Sequence, residues 1–340
     1  MVDFIRVKQF VPYEFLNLKK WKKYRRKNKE TGEIEEGLIT FIGKLKITYS
    51  FLTGNMYVQG RIINIVEKSN YLNFDDFDNS EILIEKCFNK ANSKLNRLFV
   101  SDFTVDISQM YVTQIEYSVN INTPYKSEYI NLLNLIYIEN KDKKYNRYLN
   151  YTIEYGLDLD SSFYLKTKSD FLKNRKTNFC LDIYDKEDQL KNKAAKNKED
   201  CGRTKVLISD IKACKHILRI ECKAYYEYIK MLCEKFEISN TLENLFNFKI
   251  AEYAITSKIE YLFGSGDFYK QSKVELKTND TNLKANVNIP FSELSEYFAK
   301  DRKKVLNKLN ICPYGFIPED WDIDTLKNPI KLILEKKIEK

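Results

Sequence analysis

Three short segments of the sequence combine carboxylates, a tyrosine and basic residues at the spacing of a β-strand. They read TQIE at 113–116, DIYDK at 182–186 and LRIE at 218–221. Successive side chains of a strand point to opposite faces. Glu116 therefore lies opposite Ile115, and Asp182, Tyr184 and Lys186 share a face opposite Ile183. Arg219 and Glu221 share a face opposite Leu218 and Ile220. The sequence therefore predicts three strands, each with one chemically active face.

If these three strands are neighbours, one polar sheet face collects Glu116, Glu221, Tyr184, Lys186 and Asp182. The carboxylates would hold a hard divalent cation, Mg²⁺ or Mn²⁺, which polarises a scissile phosphate. The phenol of Tyr184 would attack phosphorus and form a covalent link. Lys186 would lower the phenol's pKa or neutralise the developing charge. The alternative is that each strand only separates a core from solvent, as antiparallel sheets commonly do.

Other catalytic chemistry has few residues to use. The chain has one histidine, His216, so a pair of metal-binding histidines is excluded. A Ser-His-Asp triad would depend on this residue, which lies in a strand-like run. The seven cysteines are scattered and contain no Cys-x-x-Cys pair, so their spacing does not indicate structural zinc. Reduced thiols of a cytoplasmic protein are the simpler interpretation.

The overall charge favours a polyanionic partner. The 340 residues include 57 Lys and Arg against 48 Asp and Glu, a formal net charge of +9. The densest basic run is WKKYRRK at 21–27. The candidate DNA contacts in it are Trp21, Lys22, Lys23, Tyr24, Arg25 and Arg26. As a helix or an extended loop it would follow phosphates, with Trp21 or Tyr24 stacking on a base. The alternative is a solvated loop.

The periodicity of the rest of the chain indicates the elements that position these residues. Strand-like runs are expected at 3–11, within 38–66, and at 110–122, 151–157, 162–167, 177–186 and 216–225. Helical patterns cover 80–99, with Ser80 as N-cap, and 126–139. The charged stretch 188–198 indicates a mobile surface insertion or a short exposed helix, and the chain turns helical from about 225.

These patterns predict an α+β fold. Its centre would be a largely antiparallel sheet flanked by helices, followed by a helical C-terminal part. We expect a catalytic domain at 1–235 and a helical DNA-binding or accessory region at 236–340. No stretch reaches the about 18 apolar residues of a membrane span, so we expect a cytoplasmic protein without a membrane partner.

The three segments, in this order, resemble motifs of rolling-circle replication initiators. The similarity is to the phage/plasmid replication protein gene II/X family and the related plasmid replication initiation factor family. These families carry Thr-Arg-hydrophobic-Asp, Tyr-Asp/Asn-Lys and Leu/Trp-Arg-hydrophobic-Glu, and TGEI at 31–34 and VQG at 58–60 resemble upstream landmarks. The resemblance covers roughly residues 1–235. Two positions depart from it: Gln114 stands for the usual Arg and Glu116 for the usual Asp.

The resemblance implies roles for the residues of the polar face. Tyr184 would be the nucleophile, Glu116 and Glu221 the metal ligands, and Lys186 a phosphate contact. We also expect Asp182 at the metal, with Mg²⁺ or Mn²⁺ as cofactor. Arg219, in the third motif, is a further expected DNA contact. The implied activity is metal-dependent nicking of one strand at a hairpin or single-stranded origin site, a 5′-phosphotyrosyl link, and rejoining.

The implied partners are origin DNA, a host helicase and polymerase, and a second copy of the chain. Two other classes stay open. One is a non-catalytic DNA-binding replication or copy-control protein, and the other is an interaction protein whose basic charge is incidental. Convergence of Glu116, Glu221 and Tyr184 within about 5 Å, the reach of a bridging cation, would favour the enzyme.

Overall fold

The computed structural model describes residues 1–27, 34–67, 69, 71–100, 103–123, 126, 130, 145–149, 162–167, 179–195 and 208–263. Ten strands in these ranges form one sheet in which every pairing is antiparallel. They are β1 Val2–Phe10, β2 Lys22–Lys27, β3 Ile34–Ile42, β4 Leu45–Ser50, β5 Asn55–Gly60, β6 Tyr111–Asn122, β7 Tyr145–Leu149, β8 Ser162–Thr167, β9 Phe179–Asp185 and β10 Ile217–Tyr225. Their order is β2-β3-β4-β5-β1-β6-β10-β9-β8-β7.

Six α-helices accompany the sheet in the described residues. They are α1 Ser80–Leu95, α2 Lys186–Ala195, α3 Ile208–Ala213, α4 Tyr226–Phe236, α5 Leu242–Leu245 and α6 Phe248–Phe263. The predicted α+β class, with its antiparallel sheet and flanking helices, is confirmed. The prediction that the chain is helical from about residue 225 is confirmed as far as residue 263, and the later part lies outside the described residues. The predicted division at residue 235 stays a prediction.

One face of the central sheet forms the hydrophobic core. In β6 the buried residues Ile115, Tyr117 and Val119 alternate with polar ones, as the sequence predicts. Helices α4 and α6 pack against β6 and β10. The hydroxyl of Tyr117 is buried with this core and donates a hydrogen bond to the Leu245 carbonyl at 2.9 Å. The opposite, polar face of β6, β9 and β10 is therefore not part of this hydrophobic core.

Two irregularities in the pairing of β1 with β6 change which side chains share a face. Val2 pairs with Tyr117 and Phe4 with Glu116, so Asp3 is an extra residue in β1. Arg6 then pairs with Gln114, but Val7 pairs with Val112, so one residue of β6 is extra there. Such β-bulges re-aim side chains and recur beside active sites.

Most predicted elements in the described residues are confirmed, with adjusted ends. The strand expected at 3–11 is β1, those at 110–122 and 162–167 are β6 and β8, and those at 177–186 and 216–225 are β9 and β10. The helix at 80–99 is α1, but Asn79 rather than Ser80 precedes its first turn. Of the helix predicted at 126–139, all residues but 126 and 130 lie outside the described residues, as does the predicted strand 151–157. None of the helices in the described ranges is long and apolar enough to span a membrane.

The N-terminal basic run is a strand rather than a loop or a helix. Lys22–Lys27 forms β2 at the edge of the sheet and pairs with β3. Lysine and arginine are common on edge strands, because their charge discourages pairing with another chain. The charged stretch after β9 is helix α2, so the helical alternative holds for its described part. Leu190 anchors this helix and is buried.

Candidate active site

The three segments that carry chemistry lie on adjacent strands. β10 is hydrogen-bonded to β6 on one side and to β9 on the other. Glu221 of β10 stands opposite Ser118 of β6 and Asp182 of β9, and Arg219 stands opposite Tyr184. Directly opposed residues of an antiparallel pair project from the same face. The predicted collection of polar residues on one sheet face is therefore confirmed for these strands.

The centre of this face is a contact between a phenol and a carboxylate. The hydroxyl of Tyr184 donates to Oε1 of Glu221 at 2.5 Å. The same carboxylate oxygen accepts from Nε of Arg219 at 2.7 Å. Gln189, on the first turns of α2, donates from Nε2 to the Tyr184 oxygen at 3.2 Å. A proton acceptor and a donor are thus both within hydrogen-bond reach of the phenol oxygen.

Arg219 is fully buried and forms hydrogen bonds with residues on several parts of the polar face. Its Nη1 donates to the Tyr71 carbonyl and the Asn120 amide oxygen, and its Nη2 to Asn73 and Ser118. The guanidinium is therefore saturated by protein groups. In this arrangement Arg219 has no donor left for a DNA phosphate, although the sequence pattern predicted a DNA contact.

Asp3 is a member of the site that the sequence analysis did not find. Its Oδ1 lies 2.7 Å from Nη2 of Arg219 and 2.6 Å from Nε of Arg61. Burial opposes ionisation of this carboxyl, but the guanidiniums of Arg219 and Arg61 outweigh burial and hold its pKa well below the usual range. The bulge that makes Asp3 an extra residue in β1 gives it this position. Sequence separation and the lack of a local motif hid it.

The face is covered at this end by two parts of the chain. The segment of residues 71–76, defined here as the covering segment, crosses Arg219 and Asn120 and includes the 3₁₀ turn Phe74–Asp76. Asn73 in this segment is completely buried and donates to Ser118 at 3.0 Å. Helix α2 covers the other side. As a result Tyr184 is only 5% exposed.

The environment raises the pKa of the Tyr184 phenol. Burial pushes this pKa well above its usual value, and the adjacent Glu221 carboxylate adds to the effect. Burial also lowers the pKa of the Lys186 amine well below its usual value, helped by the Arg219 guanidinium. The expectation that Lys186 lowers the phenol's pKa is therefore wrong. Desolvation penalises both charged forms, so the neutral phenol needs a base to take its proton at the moment of attack.

Lys186 lies at the start of a helix rather than within the strand. β9 ends at Asp185, and Lys186 is the first residue of α2. Its Nζ lies 5.6 Å from the centroid of the Tyr184 ring and donates to Oε1 of Gln189 at 2.8 Å. Gln189 therefore links the amine to the phenol oxygen. A helix start that follows the strand directly keeps the amine near the nucleophile.

The other two carboxylates of the face, Asp182 and Glu116, differ in their partners. Asp182 forms an ion pair with Lys223 and accepts a hydrogen bond from the Cys180 thiol at 2.8 Å. Glu116 is half-buried, and burial together with the Glu221 carboxylate raises its pKa to about 8. A cation bound between Glu116 and Glu221 would relieve the repulsion that raises the pKa of Glu116.

The residues fit a divalent cation only in part. Mg²⁺ commonly uses one or two carboxylates together with substrate phosphates and water. Glu116 and Glu221 could supply the carboxylates. Asp182 is occupied by Lys223. Among the described residues, no group of three His, Cys, Asp or Glu side chains is arranged to hold a metal ion. A cation here would depend on oxygen atoms from the DNA or water.

The two aromatic side chains of the basic run form hydrogen bonds within the protein. The indole of Trp21 is 8% exposed and donates to the Leu98 carbonyl at 3.4 Å, so it does not reach an unpaired base in this arrangement. The hydroxyl of Tyr24 donates to Glu35 at 3.3 Å. Arg25 pairs with Glu36 at 3.1 Å. The exposed basic residues of β2 are Lys22, Lys23, Arg25 and Arg26.

Comparison with known proteins adds one structural likeness. No protein-family model matches the sequence, and a search of the curated proteins gives no match. Among solved structures, a rolling circle replication initiator protein from Geobacillus stearothermophilus aligns over 88% of this chain and 96% of its own, with 11% sequence identity and a TM-score of 0.35. A likeness of this degree assigns neither a family nor an activity to the chain.

Proposed function

We propose that the protein is a rolling-circle replication initiator that nicks and rejoins one DNA strand with Tyr184 as nucleophile. The observation that carries the proposal is the 2.5 Å hydrogen bond from the Tyr184 phenol to Glu221, on a face that also holds Lys186 and Glu116. An attacking hydroxyl, a base and a cation in one place are the parts that phosphoryl transfer requires.

In the proposed reaction Glu221 is the proton acceptor. Arg219 and Lys186 help to keep this carboxylate ionised despite its burial, so its pKa lies below the usual value. As the phenol oxygen of Tyr184 bonds to phosphorus, its proton passes to Glu221. The bond between phosphorus and the 3′ oxygen breaks, and that oxygen takes up a proton and leaves as a 3′ hydroxyl. The 5′ phosphate stays on Tyr184, and reversal of the steps rejoins the strand.

The other residues would hold charge and geometry. Arg219 and Asp3 fix the orientation of Glu221. Lys186, linked through Gln189 to the phenol oxygen, would donate a hydrogen bond to the phosphate when the site opens. When bound by Glu116 and Glu221, Mg²⁺ or Mn²⁺ would neutralise charge on the scissile phosphate. The covering segment and α2 must move apart for DNA to reach Tyr184.

The test is capture of the covalent product. A random-sequence single-stranded DNA library, fluorescently labelled at the 3′ end, is incubated with the protein and Mg²⁺ or Mn²⁺ and separated under denaturing conditions. The label should migrate with the protein, and Tyr184→Phe should abolish this. Tyr13→Phe, at an exposed tyrosine distant in sequence from Tyr184, is the matched control and should leave the adduct intact. An adduct that persists in Tyr184→Phe would place the nucleophile elsewhere.

Two further variants separate Glu221, which would serve as base and metal ligand, from Glu116, which would bind only the metal. Glu221→Gln should lower the rate of adduct formation by about 10²–10⁴-fold, the usual contribution of a general base. Glu116→Gln should raise the Mg²⁺ concentration needed for half-maximal rate more than it lowers the rate at saturating metal. Adduct formation at full rate in excess EDTA would exclude the metal part of the proposal.

A second candidate is a DNA-binding protein without nicking activity. The 5% exposure of Tyr184 and the saturated guanidinium of Arg219 favour it, because a closed polar network can be purely structural. It predicts DNA binding without any adduct across the library, with either metal. The adduct assay therefore distinguishes the two candidates.

A further inference from the structure

The polar face of the site continues across the sheet as an open surface. On β1, β5 and β4 one set of alternate residues is buried, including Ile5, Val58 and Ile47. The opposite set is exposed or half-buried from Arg6 to Phe10 of β1 and along β5, and at Lys46 and Thr48 of β4. We define the open face by its basic and aromatic members, which are Arg6, Lys8 and Phe10 of β1, Lys22, Tyr24 and Arg26 of β2, Lys46 of β4, Tyr57 of β5 and Tyr111 of β6.

Cations and rings alternate along this open face. The guanidinium of Arg6 lies 5.2 Å from the centroid of the Tyr57 ring. The amine of Lys8 lies 5.1 Å from the centroid of the Tyr111 ring. Tyr111 reaches this face only because of the second bulge between β1 and β6, after which Lys8 stands opposite it. Phe10, at the end of β1, is 64% exposed.

The charges of the open face complement a polyanion. The open face carries more basic than acidic residues. Its acidic residues are Glu35 and, next to the active site, Glu116, against the five basic residues Arg6, Lys8, Lys22, Arg26 and Lys46. Rings beside phosphate-binding cations are the arrangement by which proteins bind unpaired strands, since each base offers a face for stacking. The bases of a duplex are stacked on each other and cannot use the rings in this way.

The open face leads to the candidate active site. Arg6 stands opposite Gln114, which donates to Glu116 at 2.9 Å, and Glu116 stands opposite Lys223. From β2 to β6 the sheet is about 24 Å wide at the usual strand spacing, enough for about four nucleotides. We propose that the open face binds single-stranded DNA and leads it toward Glu116 and Tyr184. This inference names the substrate of the proposed function and rests on it.

Binding can be measured without any chemistry. The probe is a fluorescein-labelled oligothymidine of about twelve nucleotides, and the full chain is titrated by fluorescence anisotropy in EDTA at several salt concentrations. Tyr57→Ala and Tyr111→Ala should each weaken binding roughly 5- to 100-fold, since each ring stacks on a base. Arg6→Ala and Lys8→Ala should each lower the slope of log affinity against log salt by about 0.7.

Matched controls lie elsewhere on the surface. Lys86→Ala and Lys90→Ala remove exposed cations from α1, and Tyr13→Ala removes an exposed ring. These variants should leave affinity and salt slope unchanged. Tyr57→Trp should restore the binding that Tyr57→Ala loses, because it keeps a stacking ring, and circular dichroism checks that each variant is folded.

Several outcomes would overturn the inference. Equal affinity and slope in the open-face variants and the controls would exclude this path. Equal losses for oligothymidine and for a blunt duplex would exclude the single-strand assignment. If the parent forms dimers that the open-face variants disrupt, the occupant is a second copy of the chain. Failure of the adduct assay with intact oligothymidine binding would remove the proposed catalysis and leave this inference standing. If the parent forms the adduct and the open-face variants bind oligothymidine as well as the parent does, this inference is overturned and the proposed catalysis stands.

Discussion

The two halves of one sheet face are built on opposite principles. On β6, β9 and β10 the face is closed by the covering segment and α2, and its charges are matched within the protein. On β1, β4 and β5 the same face is open, and cations lie over rings. The two arginines make the contrast clear: Arg219 is fully buried and bonded to at least five groups, whereas Arg6 is exposed.

This difference separates chemistry from binding. A buried ion must be paired, because desolvation costs more than a single contact returns. The closed half can therefore hold a phenol, a carboxylate and a guanidinium in fixed positions, where hydrogen bonds are strong. The open half keeps its cations hydrated and available to phosphates. One sheet thus offers a rigid site and an accessible approach to it.

Breaking the closed half should have the largest effect. Arg219→Met leaves the carboxylates of Asp3 and Glu221 buried without their shared partner, and should reduce the free energy of unfolding by about 3–5 kcal/mol. Arg6→Met is the matched change on the open half and should alter it by less than about 0.5 kcal/mol. Urea denaturation of both variants measures the contrast. Similar stabilities would mean that the two halves are not different in kind.

Asp3 tests how the closed half depends on pH. Asp3→Asn should cost about 1–3 kcal/mol at neutral pH, because two guanidiniums lose a charged partner. The folded state lowers this pKa below its ordinary value of 3.8, so the stabilisation is present above about that pH and is lost as pH falls further. The parent and the variant should therefore converge in acid. A constant difference down to the lowest accessible pH would contradict the pairing.

Glu116 lies where the two halves meet and should show the opposite dependence. Its pKa is raised from 4.5 to about 8, so in EDTA the parent should lose stability as pH rises between these values. Glu116→Gln removes that penalty and should be more stable than the parent by about 1–2 kcal/mol at pH near 8, with no advantage near pH 4. Thermal unfolding across this range measures it. A parallel pH dependence in both proteins would show that Glu116 titrates normally.

The smallest expected effect concerns the two sides of β2. Lys22 and Arg26 lie on the open face, while Lys23 and Arg25 alternate to the other side. Lys22→Ala with Arg26→Ala should lower the salt slope for oligothymidine by about 1.4, at about 0.7 per phosphate contact. Lys23→Ala with Arg25→Ala should leave it unchanged. Equal slopes in the two double variants would mean that β2 does not contribute a sided surface.

Several features of the site were predictable because they are local. The alternation in DIYDK and LRIE places Asp182 with Tyr184, and Arg219 with Glu221, on one face of their strands, whatever the rest of the chain does. The positions of most strands along the chain followed in the same way. The adjacency of β6, β10 and β9 was an assumption of the sequence analysis that the sheet order confirms. The roles of Tyr184, Lys186 and the carboxylates stay predictions.

The sequence by itself determined the alternating strands, the helical pattern after residue 225 and the residue types available for chemistry. The tertiary structure alone decided which of those residues are buried, and so which are charged. Asp3 reaches Arg219 across more than two hundred residues of chain, by a bulge in the pairing of β1 with β6. The pKa of Tyr184 rises because the covering segment and α2 exclude water. Alternation is a property of neighbouring residues, whereas desolvation depends on whatever packs above them.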